Sequence, residues 1–292
     1  VMSRAQLEIL ADTVFQLLGL ADVNNPSRRI HHQINARSKR QVIRFFQQLI
    51  LGHASSPLPA ESEKGGEKEI IKELSLRVED GKFLAITGPN GGGKSTTAKL
   101  ITGIEKPNSG SIIFDGKDIT DMSITDRANL GIGFAFQQPV RFKGIRIIDL
   151  LRIAAKRNLT VAEACTYLSE VGLCAKDYID REVNASLSGG EMKRIEIAGI
   201  AAKNSKLSVF DEPEAGIDLW SFSNLIKVFE KMHGDKSKTI IVISHQERIL
   251  NIADEIAVLS DGKILHYGKR EDILPKIQGT SSAVNPCRAI IG

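Results

Sequence analysis

Gly88-Pro89-Asn90-Gly91-Gly92-Gly93-Lys94-Ser95-Thr96 follows the apolar run Lys82–Thr87 and opens a helical pattern over Ser95–Thr102. It fits G-x-x-x-x-G-K-[ST], in which glycines let backbone N–H groups converge on phosphate oxygens at a helix N-terminus. Gly88, Asn90, Gly91 and Gly93 would form the cradle. Lys94 would span two phosphates, Ser95 would ligate Mg²⁺, and Thr96 continues the first turn. A strand before the loop and a helix after it predict a parallel α/β fold.

Working outward, further motifs come in fixed order. Phe134-Ala135-Phe136-Gln137-Gln138-Pro139 ends a strand in glutamine, where a side chain can reach both a cation and a water molecule. Leu187-Ser188-Gly189-Gly190-Glu191 precedes a helix over Met192–Ala202 and offers a second anion-binding surface at Ser188, Gly189 and Gly190. Leu207–Phe210 reads as an apolar strand that runs out into the two acids Asp211-Glu212. Paired carboxylates are costly at a buried strand tip unless a cation or a reaction uses them. Asp211 would hold Mg²⁺ through water, and Glu212 would polarise an attacking water. His245 ends the run Thr239–Ser244 and could donate to a terminal phosphate. Asp218 lies in Glu214-Ala215-Gly216-Ile217-Asp218, where a loop would cross between subunits. One chain has one such phosphate pocket, so the second surface makes sense against another subunit's nucleotide.

The remaining chain alternates strands and helices. Ile70–Val78 reads as a strand turned by Asp80-Gly81. Ser111–Phe114, Gly131–Phe136 and Glu255–Leu259 read as further strands, and Arg146–Asn184 as a helical lobe. Residues 1–53 read as a helical, basic segment. Ser3-x-x-Gln6 and Ser38-x-x-Gln41 have capping-box form, Gly19 and Gly52 are stops, and Asn24–Arg37 leaves room for a third short helix. Residues 54–66 read as a linker, 67–275 as the nucleotide-binding domain and 276–292 as a flexible tail.

The formal net charge of +4 comes from the front, where seven Lys/Arg face three Asp/Glu within residues 1–60. The rest is neutral, which argues against nucleic acid as a ligand of the main domain. Arg28, Arg29, Arg37, Lys39, Arg40 and Arg44 leave nucleic acid or an anionic membrane surface open for the front segment. No apolar run approaches the roughly 18 residues needed to span a bilayer, so a membrane role would come through a partner. Three cysteines without metal-ligand spacing, and no secretory pattern, read as a reducing, cytoplasmic setting.

These motifs, over about Glu67–Leu274, resemble the ATP-binding cassette (ABC) ATPase family. The resemblance implies an ABC ATPase sandwich with an antiparallel β subdomain and a helical lobe. It also implies ATP and Mg²⁺ as ligands and a homodimer formed on ATP binding, Lys94 of one chain facing Ser188 of the other. Glu212, His245 and Gln137 would be catalytic, with Gln137 also touching the metal. Within the family, Ala135–Pro139 and Ser244-His245-Gln246-Glu247-Arg248-Ile249-Leu250 are similar to the Q-loop and H-loop of the SUF iron–sulfur cluster assembly ATPases. That likeness implies SUF-type scaffold proteins as partners. Asp211–Gly216 instead resembles a general transporter subunit, which implies a membrane permease. A regulatory module that dimerises with little hydrolysis is a third reading. The family's adenine-stacking aromatic has no counterpart here, since no Phe, Tyr or Trp occurs between Phe46 and Phe83.

Overall fold

The computed structural model describes residues 70–142 and 144–281. The expected front helices, the linker at 54–66 and residues 282–292 lie outside the described residues.

The first strand, β1 (Phe83–Thr87), leads into α1 (Lys94–Thr102), then the short strands β2 (Ile113–Phe114) and β3 (Lys117–Asp118) and helix α2 (Ile124–Leu130). Strand β4 (Ile132–Ala135) opens the lobe of α3 (Ile147–Ala154), α4 (Val161–Glu170) and α5 (Ala175–Tyr178). Helix α6 (Gly189–Lys203) returns to β5 (Leu207–Asp211), followed by α7 (Leu219–Gly234), β6 (Thr239–Ile243) and α8 (Glu247–Ile252). The described chain finishes with β7 (Glu255–Ser260), β8 (Lys263–Lys269) and α9 (Arg270–Ser281).

Six strands form one sheet in the order β4-β5-β6-β1-β7-β8. The first five are parallel, and β8 closes the edge antiparallel to β7. Parallel strands are covered on both faces, so their sequences are apolar throughout rather than alternating. FLAIT in β1 and LSVFD in β5 are buried at every position. Their side chains still divide by face. Phe83, Ala85 and Phe210 join the core shared with the lobe, α6 and α7. Leu84, Ile86 and Val209 pack with Ala98 of α1, Ile119 and Ile132 on the other side. All five parallel strands therefore present their C-terminal ends on one edge, and the loops leaving β1, β4, β5 and β6 meet there.

Two local devices fix the helices. In α4 a capping box pairs the Thr160 side chain with the Glu163 backbone and the reverse. At the C-terminus of α1, the fully buried Arg127 donates to the carbonyls of Leu100 (2.6 Å) and Ile101 (2.9 Å), and to Thr120 (2.8 Å). A cation there also meets the negative end of the helix dipole.

The structure corrects three expectations. Ile70–Val78 is not a ladder strand: it makes one bridge, Glu73 to Lys263, and the main-chain bond Lys72 N–H to Gly262 O. Its alternation is real, because Leu74, Leu76 and Val78 pack on the α1-side core, but packing does not require a pairing partner. The tail does not begin at 276, because α9 continues to Ser281, with Ile273, Leu274 and Ile277 packed on the main core. β3 and β8 were not anticipated. The antiparallel β subdomain is, among the described residues, the pair β2–β3. The Asp80-Gly81 turn is present, Lys82 N–H bonding Glu79 O and Gly81 taking φ 72°.

Candidate functional site

The phosphate loop is shaped by close approach. At Gly88, φ is 132° and a Cβ would lie 2.0 Å from the Leu259 carbonyl, so only glycine fits against the end of β7. Gly93, at φ 98°, occupies the N-cap of α1 with no side-chain cap bond, which leaves the first N–H groups of the helix to an incoming anion. Asn90 and Gly91 are exposed at the tip, and Thr96 is half-buried in the first turn. Lys94 is buried and bends back over its own loop, its Nζ donating to Gly88 O (2.8 Å) and Pro89 O (2.9 Å). Burial lowers its pKa, and the charges of Glu212 and Asp211 oppose that. The ammonium is thus within electrostatic reach of both acids.

Asp211 and Glu212 leave β5 in different directions. The Asp211 carboxylate is buried and accepts the Ser95 hydroxyl at 3.1 Å. Burial pushes its pKa up, partly offset by that bond. A buried carboxyl with one hydroxyl donor is suited to a cation. Ser95 Oγ and Asp211 Oδ1, 3.1 Å apart, are hard oxygen donors of the kind that Mg²⁺ takes, and the Gln137 amide would add a third oxygen by turning from its contact with Glu212. Among the described residues no cluster of three or more His, Cys, Asp or Glu could hold a metal, so a chelating cage is not the pattern here.

Glu212 sits at φ 46°, the left-handed region that non-glycine residues seldom occupy. Its N–H is held by Ile243 O at 3.0 Å, and its Oε2 accepts Gln137 Nε2 at 2.9 Å. His245 follows β6 nearby. Burial first, then the Lys94 charge, lower its pKa below the usual histidine range, with Glu212 acting against them. Ser244, just before it, donates to Glu214 Oε1 at 2.6 Å and accepts the Gln246 N–H at 2.9 Å. Burial raises the Glu214 pKa.

The signature segment makes its contacts elsewhere. Ser188 caps α6 and forms a reciprocal capping box with Glu191, whose carboxylate also accepts the Tyr178 hydroxyl. Ser188 and Gly189 are exposed. Gly190 lies against the loop before Asp218, where a Cβ would stand 2.6 Å from Gly216 O. Asp218 caps α7 by accepting the N–H groups of Trp220 (3.1 Å) and Ser221 (2.9 Å). Hydrogen bonding to Ser221, its side chain first and then its backbone, lowers the Asp218 pKa.

The structure thus brings Lys94, Ser95, Asp211, Glu212, Gln137 and His245 to one edge, and presents Ser188, Gly189, Gly190 and Asp218 as a separate surface. Sequence reasoning missed the support beneath the first group. Lys193 and Glu196 of α6 are buried, their Nζ and Oε2 3.7 Å apart. Burial raises the Glu196 pKa to about 7 and lowers that of Lys193. Lys193 and Glu196 stand at i,i+3 in a helix that also carries Glu191, Arg194 and Lys203, so nothing in the sequence set this pair apart as buried.

A strand–loop–helix phosphate cradle with a buried Asp and a strained Glu at one sheet edge defines a P-loop nucleotide hydrolase. The chain belongs to the ABC transporter ATPase family, whose profile matches residues 71–215. An uncharacterised ABC transporter ATP-binding protein of Methanocaldococcus jannaschii is 40% identical over 71% of this chain and 86% of its own length. The probable ATP-dependent transporter ycf16 of Antithamnion sp. is 36% identical over 70% of this chain and 86% of its own. A dimeric ATP-binding cassette in a post-hydrolysis state, bound to ADP and phosphate, superposes with a TM-score of 0.63 at 24% identity. That likeness spans 70% of this chain and 94% of the other, and it supports the fold. The chain is an ATPase of this family, and ATP is its nucleotide. Among the described residues no helix is long and apolar enough to cross a membrane.

Proposed function

We propose that two copies close head to tail around two ATP molecules, hydrolyse them and reopen, and that this cycle drives a partner. The observation that carries the reading is the division of the site. One surface assembles Lys94, Ser95, Asp211, Glu212 and Gln137. The other leaves Ser188 and Gly189 exposed at the start of the 15-residue helix α6. Each is half of a phosphate cage. In the closed pair, Lys94 neutralises phosphate oxygens, Gln137 orients the water, Glu212 takes its proton, and His245 donates to the γ-phosphate. Ser188, Gly189 and Gly190 cover that phosphate from the other subunit, beside Asp218. Ser95, Gln137 and Asp211 would hold Mg²⁺, which would supply charge neutralisation on the phosphate oxygens.

The partner we favour is a membrane permease, because similar proteins are named as an ABC transporter ATP-binding protein and a probable ATP-dependent transporter. This reverses the order of the sequence reading, which put SUF-type scaffolds first. The scaffold reading is kept second on the Ala135–Pro139 and Ser244–Leu250 stretches. The third reading, a module with little turnover, is disfavoured by intact Glu212 and His245.

Two measurements test this. Glu212→Gln should cut turnover by at least about 100-fold and trap ATP-bound dimers, visible by light scattering after gel filtration. Unchanged turnover would remove Glu212 as the base. Affinity purification from the native host under anaerobic conditions should bring down a polytopic membrane protein. A soluble, cluster-bearing scaffold instead would put the SUF reading first.

A further inference from the structure

The ladder between β4 and β5 ends at the pair Ala135–Phe210. The next residue, Phe136, has no strand opposite its main-chain groups, and both are taken by side chains of α6. Its N–H donates to Glu196 Oε1 at 3.0 Å. Its carbonyl accepts from Lys193 Nζ. The same ammonium lies 3.4 Å from Gln137 O and 3.3 Å from Asp211 O. One buried cation therefore touches the carbonyl immediately before Gln137 and the carbonyl immediately before Glu212. Both side chains are almost fully buried, 1% and 6% exposed.

We infer that Lys193 and Glu196 are positioning residues that set Gln137 in register with Glu212 and tie that register to the helix capped by Ser188. The peptide on either side of Phe136 decides the direction in which the chain leaves the sheet, and so where the Gln137 amide stands. With the Phe136 N–H and C=O both gripped by α6, the Gln137 Nε2 to Glu212 Oε2 contact depends on where α6 lies. An α-helix is stiff over two turns. A shift of Ser188, as when its surface meets a partner's phosphate, is carried to Phe136 by Lys193 and Glu196 rather than lost in a loop. The signature surface thereby reports its engagement to its own chain's water-positioning groups. The inference rests on the proposed roles of Gln137 and Ser188.

A buried ion pair could also serve stability alone, and the test separates the two. Steady-state ATP turnover of the full chain is compared for wild type, Glu196→Gln, Lys193→Gln, Gln137→Ala and the double variant Lys193→Met/Glu196→Leu. The double variant removes both members of the pair together, so neither is left as the uncompensated partner of the other, while both grips on Phe136 are lost. It should lower kcat about tenfold or more with KM for ATP within about twofold, since the lost quantity is geometry at the reacting centre. Glu196→Gln keeps an oxygen for the Phe136 N–H and should stay within about threefold of wild type. Adding Gln137→Ala to the double variant should cost nothing beyond Gln137→Ala alone, because the pair acts through Gln137. Additive losses, a KM that rises with the fall in kcat, or full activity in the double variant would overturn the inference. If the double variant does not fold, the same cycle is read on Lys193→Gln. Full activity of Gln137→Ala would instead sink the role of Gln137 itself, a failure of the underlying reading that this control makes distinguishable.

Discussion

Ser188 carries two duties that a single substitution would confuse. Its hydroxyl accepts the Glu191 N–H at 3.2 Å, and its own N–H is held by Glu191, so it stabilises α6 whatever else it does. In the proposed dimer the same exposed residue faces the partner's γ-phosphate. Ser188→Ala should cost about 1 kcal/mol of stability through the lost cap, and should also weaken the dimer. Ser188→Asp separates the duties. Aspartate is an equal or better cap, so the melting temperature should stay near that of wild type, yet its charge repels phosphate and should abolish ATP-dependent dimers. Thermal melts and gel filtration with ATP read the two effects independently. Normal dimers from the Asp variant would place Ser188 outside the phosphate cage. The residues that the structure gathers at one edge, Lys94, Ser95, Asp211, Glu212 and Gln137, stand out in the sequence because phosphate chemistry needs fixed residue types at fixed spacing. Lys193 and Glu196 do not, since their partners are main-chain groups of a strand end 57 and 60 positions away. The capping box of Ser188 with Glu191 and the anion-binding surface use the same residues, so neither use excludes the other.

Elements read from the sequence fared according to how completely they are buried. β1, β4, β5, β6 and β7 are apolar runs covered on both faces, and their positions agree with expectation to within a residue or two. β8 escaped because an edge strand with a largely exposed face reads KILHYGK, too polar to stand out. Its Tyr267 bonds Arg77 O at 2.6 Å, which helps hold the Ile70–Val78 segment alongside without making it a strand. In the lobe, α4 offers a prediction on pH. Glu163 accepts from the Thr160 N–H and from Arg157, and these bonds, the backbone one first, bring its pKa down to about 2. A lowered carboxyl pKa means that its contribution is present above the ordinary value near 4.5 and is lost as pH falls toward 2. Glu163→Gln retains the cap geometry but cannot titrate. Wild type should melt above the variant at pH 7, and the gap should narrow steadily from pH 4.5 to pH 2.5. A gap that is constant across that range would mean that the Glu163 charge contributes nothing to the fold.

At the scale of the whole molecule, closure is the event that every functional statement depends on, and the chain contains its own reporter of it. Trp220 is the sole tryptophan. It is 85% exposed, next to Leu219 at 68%, on the first turn of α7 directly after Asp218. Two adjacent large apolar side chains left in water beside the loop expected to cross between subunits suit a contact surface, where aromatic anchors concentrate binding energy. In the proposed head-to-tail pair that loop would meet the second copy only when ATP fills both cages. With Glu212→Gln to hold the closed state, adding ATP and Mg²⁺ should therefore move Trp220 emission to shorter wavelength and protect it from acrylamide. ADP should leave both unchanged. Light scattering on the same samples fixes the interpretation. A dimer with unshifted emission would keep the closure and exclude α7's first turn from the interface. Monomers throughout, with nucleotide bound, would remove the head-to-tail cycle and with it the energetic link from hydrolysis to any partner.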